Sequence, residues 1–359
     1  MWNLPESTAT RPNTSSDVGP VDAVLVLSFG GPEQPDDVMP FLRKVTGGRN
    51  IPDERLAEVA EHYLHFGGRS PINDQARELI DALRIRMQAG GLDLPIYWGN
   101  RNWHPFIEDT MAQIALDGRK NIIAFATSAY SSYSSCHQYR EDLQRSQTAV
   151  GESAPRITKV RQFYNHPGFI EPMIRNTRAA MDALPENERS SAHIAFTAHS
   201  IPLTMATNSR YQQQLLEASR LVMEGLNMNA TEERPWELVF QSRSGSPHTP
   251  WLEPDICDHL QTLHSKGVNS LVMVPIGFIS DHMEVVYDLD DEAAKKAADL
   301  GMNVTRAKTV GVDDQFIDAV YELIVEDIDR DAQRRSLGLD GIVGCLGQEC
   351  CVTSSAGLS

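Results

Sequence analysis

The residues best equipped for chemistry fall in one stretch, Asp281-His282-Met283-Glu284-Val285-Val286-Tyr287-Asp288-Leu289-Asp290-Asp291-Glu292. Glu284, Asp288 and Glu292 recur at i, i+4 and i+8. On an α-helix four residues advance roughly 40° past a full turn, so the three carboxylates share a face. Like charges at that spacing repel by roughly 0.2–0.5 kcal/mol per pair, and a cation moving along the face would offset the cost. An isolated acidic stretch is usually a solvated helix surface. Here it follows an apolar run, 270–278, so a buried strand empties into a strip of carboxylates. A second junction of this kind lies upstream, in Thr197-Ala198-His199-Ser200-Ile201-Pro202. Histidine titrates near neutrality and can accept a proton or ligate a metal; a hydrogen-bonded structural histidine at a strand end would read the same way. Both residues follow strands of the second half of the chain, so His199 and Glu284 can face one cleft.

Other motifs are less specific. Residues 241–252, from Gln241-Ser242-Arg243 to Pro250-Trp251-Leu252, form a polar loop closed by an aromatic residue. It reads either as a wall for a large flat ligand or as a surface loop stapled by Trp251. Gly30-Gly31-Pro32 lacks the Gly-x-Gly-x-x-Gly pattern, and no Gly-x-x-x-x-Gly-Lys-Ser/Thr is present, which argues against nucleotide binding. Cys345, Cys350 and Cys351, with Cys136 upstream in Tyr133-Ser134-Ser135-Cys136-His137-Gln138, could give four thiolates to an iron–sulfur cluster or to zinc. Adjacent cysteines suit tetrahedral zinc poorly, which tilts the reading toward a [2Fe–2S] cluster. A tail with surface thiols is the plainer alternative. Cys257 reads as a small core residue.

The elements that must position these groups alternate. Strands are expected at 21–29, 95–99, 121–127 and 157–163, with helices at 36–45, 52–66, 72–89, 106–116, 139–147 and 167–184. The pattern then restarts, with strands at 193–198, 236–241, 270–276 and 303–307 and helices at 208–228, 256–266, 284–300 and 313–334. Such alternation predicts an α/β fold of parallel sheets covered on both faces. Two series predict two Rossmann-like domains with a cleft between them. The expected divisions are a disordered leader (1–20), an N-terminal domain (21–185), a C-terminal domain (186–312), a C-terminal helix (313–335) and a cysteine-containing tail (336–359).

Bulk properties narrow the function. The 359 residues suffice for two domains with real cores. A net charge of −17 argues against nucleic acid, whose phosphates need clustered cations. No segment has the roughly 18 continuous apolar residues of a membrane span, and the N-terminus lacks a signal-peptide pattern. Five cysteines fit no even disulfide framework, which points to a reducing cytoplasm.

In order along the chain, Phe29-Gly30-Gly31-Pro32, Gly67-Gly68-Arg69-Ser70-Pro71-Ile72, His104-Pro105, Ala198-His199-Ser200-Ile201-Pro202, Gln241-Ser242, Pro250-Trp251-Leu252 and Asp281 to Asp288 resemble the ferrochelatase family. That family inserts ferrous iron into a porphyrin, and the resemblance runs from Val24 to about Glu326. It implies two Rossmann-like domains with the porphyrin between them, and Fe²⁺ as a substrate. It implies that His199 and Glu284 are the catalytic pair at the metal, with Asp288 and Glu292 continuing a metal path. It also implies that Ser70, Tyr139, Phe29 and Arg101 meet the porphyrin. Some members carry tyrosine at the position of Phe29; phenylalanine cannot ligate iron, so an axial tyrosine is excluded there. The Ser/Tyr-rich stretch and the tail are similar to the actinobacterial branch. That implies coproporphyrin III as substrate and coprohaem as product, protoporphyrin IX being the alternative. The tail is similar to that of cluster-bearing members, which implies Cys136, Cys345, Cys350 and Cys351 as [2Fe–2S] ligands. A transient contact with the next haem-pathway enzyme is compatible with this reading. Sirohydrochlorin chelatases often use paired histidines, and no partner for His199 is evident. A non-catalytic haem or metal carrier would not need a proton acceptor.

Overall fold

The computed structural model describes residues 6–7, 19–47, 51–227, 234–244, 248–329, 331–338 and 341. The strand Ala23–Ser28 is buried at every position, as a run without polar alternation must be when helices cover both faces of its sheet. It is an inner strand of a four-stranded sheet ordered Ile96–Asn100, Ala23–Ser28, Asn121–Ala126, Arg156–Lys159, with every pairing parallel. The second half repeats the plan: Trp236–Gln241, His193–His199, Ser270–Val274, Asn303–Arg306, again all parallel. In each sheet the first strand in sequence lies between the second and third, so the winding reverses beside it. That reversal is where open α/β sheets leave a crevice beyond the strand ends. In the second sheet the strands at the reversal are His193–His199 and Ser270–Val274, paired from His193↔Leu271 to Phe196↔Val274. The two loops singled out by sequence therefore leave adjacent strands in the same direction.

One apolar core runs through both halves, from Val24 and Phe125 to Phe196, Val274 and Phe316. The helix Pro167–Asp182 carries Phe169 into a cluster with Phe163 and Phe316, ring centroids 6.0–6.3 Å apart. Phe316 belongs to the helix Asp314–Ile328, which returns from the second half to pack on the first. There Glu326 receives a bidentate contact from Arg161 at 2.8 and 2.9 Å, both side chains being 2% exposed.

Three expectations are corrected. The helix expected at 284–300 spans Met283–Asp299, but Val286–Ala293 within it is π-helical. The last helix, expected to reach residue 334, ends at Ile328. Within the leader expected to be disordered, Glu6–Ser7 pairs antiparallel with Ser336–Leu337. Among the described residues no helix is long and apolar enough to cross a membrane.

Candidate active site

His199 is the last residue of its strand, and its loop is fixed from several sides. The Ser200 N–H donates to the Gln241 carbonyl at 2.8 Å, and the Ser200 hydroxyl donates to the Leu252 carbonyl at 2.8 Å. The Tyr211 hydroxyl donates to the His199 carbonyl at 3.1 Å. Trp251 is 9% exposed and bridges to Pro202, so this end of the polar loop staples the histidine loop. The partner loop approaches through Gly277, whose N–H donates to the Thr197 carbonyl at 3.0 Å. A Cβ on Gly277 would lie 2.7 Å from that of Ala198, so only glycine permits this approach.

The result is a facing pair: His199 Nε2 lies 3.6 Å from Glu284 Oε2, and His282 Nδ1 lies 3.9 Å from the same oxygen. The His199 and Glu284 side chains keep 30% and 42% of their surface although protein closes in around them, as at the floor of an open cleft. Burial alone would lower the His199 pKa, but the Glu284 carboxylate, the Ser200 carbonyl at Nδ1 and Asp288 outweigh it and raise the imidazole above its ordinary value. Burial would raise Glu284, but His199 and His282 hold it well below the usual carboxylate range. His282 itself is lowered, by burial and by His199 against the pull of Glu284.

The carboxylate strip runs outward from this floor. Glu284 and Asp288 are half-buried and Glu292 is exposed. The Gln241 side-chain amide donates to the Glu284 carbonyl at 2.9 Å and to Asp288 Oδ2 at 3.4 Å, tying the strand end to the first turn of the strip. Ser242 adopts φ +62°, a left-handed conformation uncommon outside glycine, and its hydroxyl donates to Asp288. Burial pushes Asp288 up to about 7; the Ser242 bond opposes this, and Glu284 and Glu292 reinforce it. Burial, with Asp255 and Asp291, also raises Glu292. At the outer end Glu292 lines a depression of about 450 Å³ with Tyr287, Asp291 and Cys257.

The first half contributes an aromatic group. Phe29 is 38% exposed and meets Phe41 edge-on at 6.3 Å, and Phe41 in turn packs against Tyr63 at 5.9 Å and Trp103 at 6.3 Å. Burial and the Glu284 and Asp288 carboxylates push the Tyr63 phenol upward, so this aromatic group lies within electrostatic reach of the strip. His62 stacks on Tyr287 with ring centroids 3.9 Å apart, closing the helix Asp53–His65 onto the π-helical segment.

A pair of opposed acid–base groups, an outward carboxylate path and a nearby aromatic group suit insertion of a cation into a flat macrocycle. The ferrochelatase family profile matches residues 21–328. The chain belongs to the ferrochelatase family. It is 53% identical over 323 residues to the coproporphyrin III ferrochelatase of Streptomyces griseus subsp. griseus, covering 86% of each chain. It is 49% identical over 333 residues to that of Nocardia farcinica, covering 90% of this chain and 93% of the relative. It is 47% identical over 339 residues to the ferrochelatase of Rhodopirellula baltica, covering 94% and 95%. Among solved structures, SirB from Bacillus subtilis with Fe³⁺ aligns over 87% of this chain and 100% of its own, with TM-score 0.51 and 12% identity. DR2241 from Deinococcus radiodurans, a multi-domain protein with structural similarity to chelatases, aligns over 89% and 58%, with TM-score 0.51 and 14% identity. At these identities the likeness bears on the fold alone.

In this ferrochelatase the sequence-predicted residues divide. His199, Glu284 and Asp288 come together on the cleft floor, and Phe29 presents an open ring. Tyr139 is 4% exposed and packs in the core beneath the first sheet. The Arg101 guanidinium lies 4.0 Å over its ring and is held by Asp142 at 2.7 Å and the Ser134 carbonyl at 2.8 Å. Ser70 is 3% exposed against Gly31 and donates its N–H to the Pro32 carbonyl at 2.9 Å. Cys136 is buried in the π-helical segment Tyr133–His137, whereas Cys345, Cys350 and Cys351 lie outside the described residues. Sequence reasoning missed three contributors. His282 stood inside the acidic motif and was visible there. Gln241 was visible only as part of a polar loop. Tyr63 gave no signal, because nothing in a helix of the first half reveals which carboxylates it will face.

Proposed function

We propose that this ferrochelatase inserts Fe²⁺ into coproporphyrin III to give coprohaem. The single observation that carries the mechanism is the 3.6 Å approach of His199 Nε2 to Glu284 Oε2 on the cleft floor. The names of the Streptomyces and Nocardia relatives support the choice of porphyrin.

Metallation must take two protons from pyrrole nitrogens and strip water from the iron. The Ser200 carbonyl accepts from His199 Nδ1–H, which fixes the neutral tautomer with its lone pair on Nε2. That nitrogen accepts the two pyrrole protons in turn, the first leaving to water before the second is taken, and the Glu284 carboxylate stabilises the imidazolium each time. Glu284, ionised at neutral pH, also offers an oxygen to the arriving iron. Asp288, near 7, exchanges protons readily and can relay one outward to Glu292 and water. Stepwise replacement of water by carboxylate oxygen lowers the desolvation cost of each iron movement along the strip. Anaerobic mixing of protein, Fe²⁺ and coproporphyrin III should give the metalloporphyrin absorbance change, with slower turnover of protoporphyrin IX. Faster turnover of protoporphyrin IX would reverse the substrate assignment.

The cofactor part of the proposal is a [2Fe–2S] cluster held by Cys136, Cys345, Cys350 and Cys351. The Gln162 side-chain amide donates to Cys136 Sγ at 3.0 Å, a bond that favours thiolate or cluster sulfur. Neighbouring Arg161 donates to the Arg335 carbonyl at 2.7 Å, and Asn165 donates to the carbonyls of Leu337 at 3.2 Å and Gly341 at 2.9 Å. The segment leading to the cysteines is thus tied beside Gln162, and Cys345 lies within about 14 Å of extended chain from Gly341. When bound, the cluster would supply one-electron redox chemistry or a structural clamp. Cys136→Ser should bleach the visible absorbance of the purified protein; a colourless protein containing zinc would overturn the cluster. The cysteine content supports a reducing cytoplasm as the setting, where the product would pass to the next haem-pathway enzyme by transient contact.

A further inference from the structure

At the opposite end of the strand that delivers His199 stands a second histidine, His193. Alternation puts His193 and Ala195 on one face of the sheet, and pairing of Ala195 with Glu237 puts Glu237 on that face too. The helix Ile256–Ser265 covers the same face with Ile256, Leu260 and Leu263, and His259 falls on its inner side. The three residues therefore converge at the rim, about 20 Å along the strand from His199. His193 is 7% and His259 3% exposed. One ligand atom from each of the three lies within 4.8 Å of the others.

The finer geometry fits two ligands of one ion. His193 Nε2 and His259 Nε2 are 3.3 Å apart, with the ring planes inclined at 53°. Two imidazole nitrogens bound at 2.0–2.1 Å to one tetrahedral ion stand about 3.3–3.4 Å apart. The other nitrogen of His259, Nδ1, lies 3.6 Å from Glu237 Oε2. A carboxylate on the far nitrogen is how proteins orient a metal-binding imidazole and raise its basicity. Burial, reinforced by the other imidazole and by Lys266, lowers His193 to about 4, and burial also lowers His259. Both rings thus keep a lone pair at neutral pH. Lys266 would oppose a cation here, and Glu237 offsets it. The Glu237 side chain is 52% exposed, which leaves one side open for entry and for water ligands.

We infer that His193 and His259, oriented by Glu237, form a second cation site for a borderline transition ion of the Zn²⁺ type, separate from the insertion cleft. An ion there staples the strand His193–His199 to the helix above it, with Glu237 of the neighbouring strand behind His259. Imidazole ligands select zinc, nickel or copper over magnesium and calcium.

The test uses the full chain. Zinc equivalents are counted by equilibrium dialysis, and Tm is measured with and without Zn²⁺, for wild type, His199→Ala, His193→Gln, His259→Gln and Glu237→Gln. The site predicts that Zn²⁺ raises Tm in wild type and in His199→Ala. It predicts that His193→Gln and His259→Gln each lose one zinc equivalent and that rise, while iron insertion persists. Glu237→Gln should weaken the affinity about 10–100-fold. Co²⁺ in His199→Ala, which lacks the cleft imidazole, separates the site from both the cleft and the tail thiols. It should give visible bands of nitrogen–oxygen coordination that persist when the cysteines are alkylated. Unchanged zinc stoichiometry in both histidine variants, or cobalt bands that vanish entirely on alkylation, would reduce the pair to a neutral hydrogen bond between two buried rings.

Discussion

His199 and Glu284 shift each other in opposite directions, and that coupling can be read from outside. Removing the imidazole in His199→Ala should lower kcat for iron insertion by about 10²–10⁴-fold, the range for loss of a positioned proton acceptor. Far-UV circular dichroism and porphyrin binding should stay near wild type; normal turnover would take His199 out of the mechanism. Unprotonated His199 is the acceptor, so the rate should rise with pH through its raised pKa. Glu284→Gln deletes the group that raises it. The acid limb of the pH–rate profile should then move to lower pH while the maximal rate falls; a limb that stays put would break the assignment. Asp288 carries the opposite perturbation to Glu284. Its folded pKa of about 7 exceeds its unfolded value, so the folded state binds the proton more tightly. Stability from this group is full below the unfolded carboxylate pKa and is lost as pH rises toward 7. Asp288→Asn removes that loss. The variant should melt on the order of 2 °C above wild type at pH 8, and the gain should shrink or vanish at pH 4.

The element that carries the strip was legible as a helix but not as this helix. Buried Val285, Leu289, Ala293 and Ala297 repeat every fourth residue, as do Glu284, Asp288 and Glu292. A strict period of four exceeds the 3.6 residues of an α-turn, so an α-helix would wind both stripes away from their faces. The wider i→i+5 turns of Val286–Ala293 correct the drift and keep the acids toward the cleft and the apolar residues toward the core. The signal was in the chain; reading the period as α discarded it. Gly277 was not legible at all, because its role depends on how closely two loops pass. Gly277→Ala forces a Cβ to within 2.7 Å of the Ala198 Cβ. The loop bearing Glu284 must then retreat from the strand bearing His199. The expected cost is about 1–3 kcal/mol of stability, seen in urea unfolding, together with a lower kcat for insertion. Wild-type values for both would mean that the loop yields without disturbing the pair.

At the scale of the whole molecule, two alternating series were enough to give two parallel sheets, because buried parallel strands write themselves as apolar runs. What the series could not give was the place of the last helix. An amphipathic helix records that it has a buried face, not which sheet that face meets. Asp314–Ile328 follows the second sheet in sequence yet packs on the first, and its anchor is a residue of the first half, Arg161, paired with Glu326. Arg334 also reaches Glu326, at 3.2 Å, so the segment after the helix is held by the same carboxylate. Glu326→Gln would leave the Arg161 charge buried with a weaker partner. Loss of one member of such a pair costs about 3–5 kcal/mol, so the urea midpoint should fall sharply. Iron insertion by the folded fraction at low temperature should remain, since no atom of the cleft is touched. The double change Arg161→Met with Glu326→Leu removes both charges and should recover much of the loss. A midpoint for Glu326→Gln equal to wild type would show that apolar packing around Phe316, and not this ion pair, holds the returning helix against the first half.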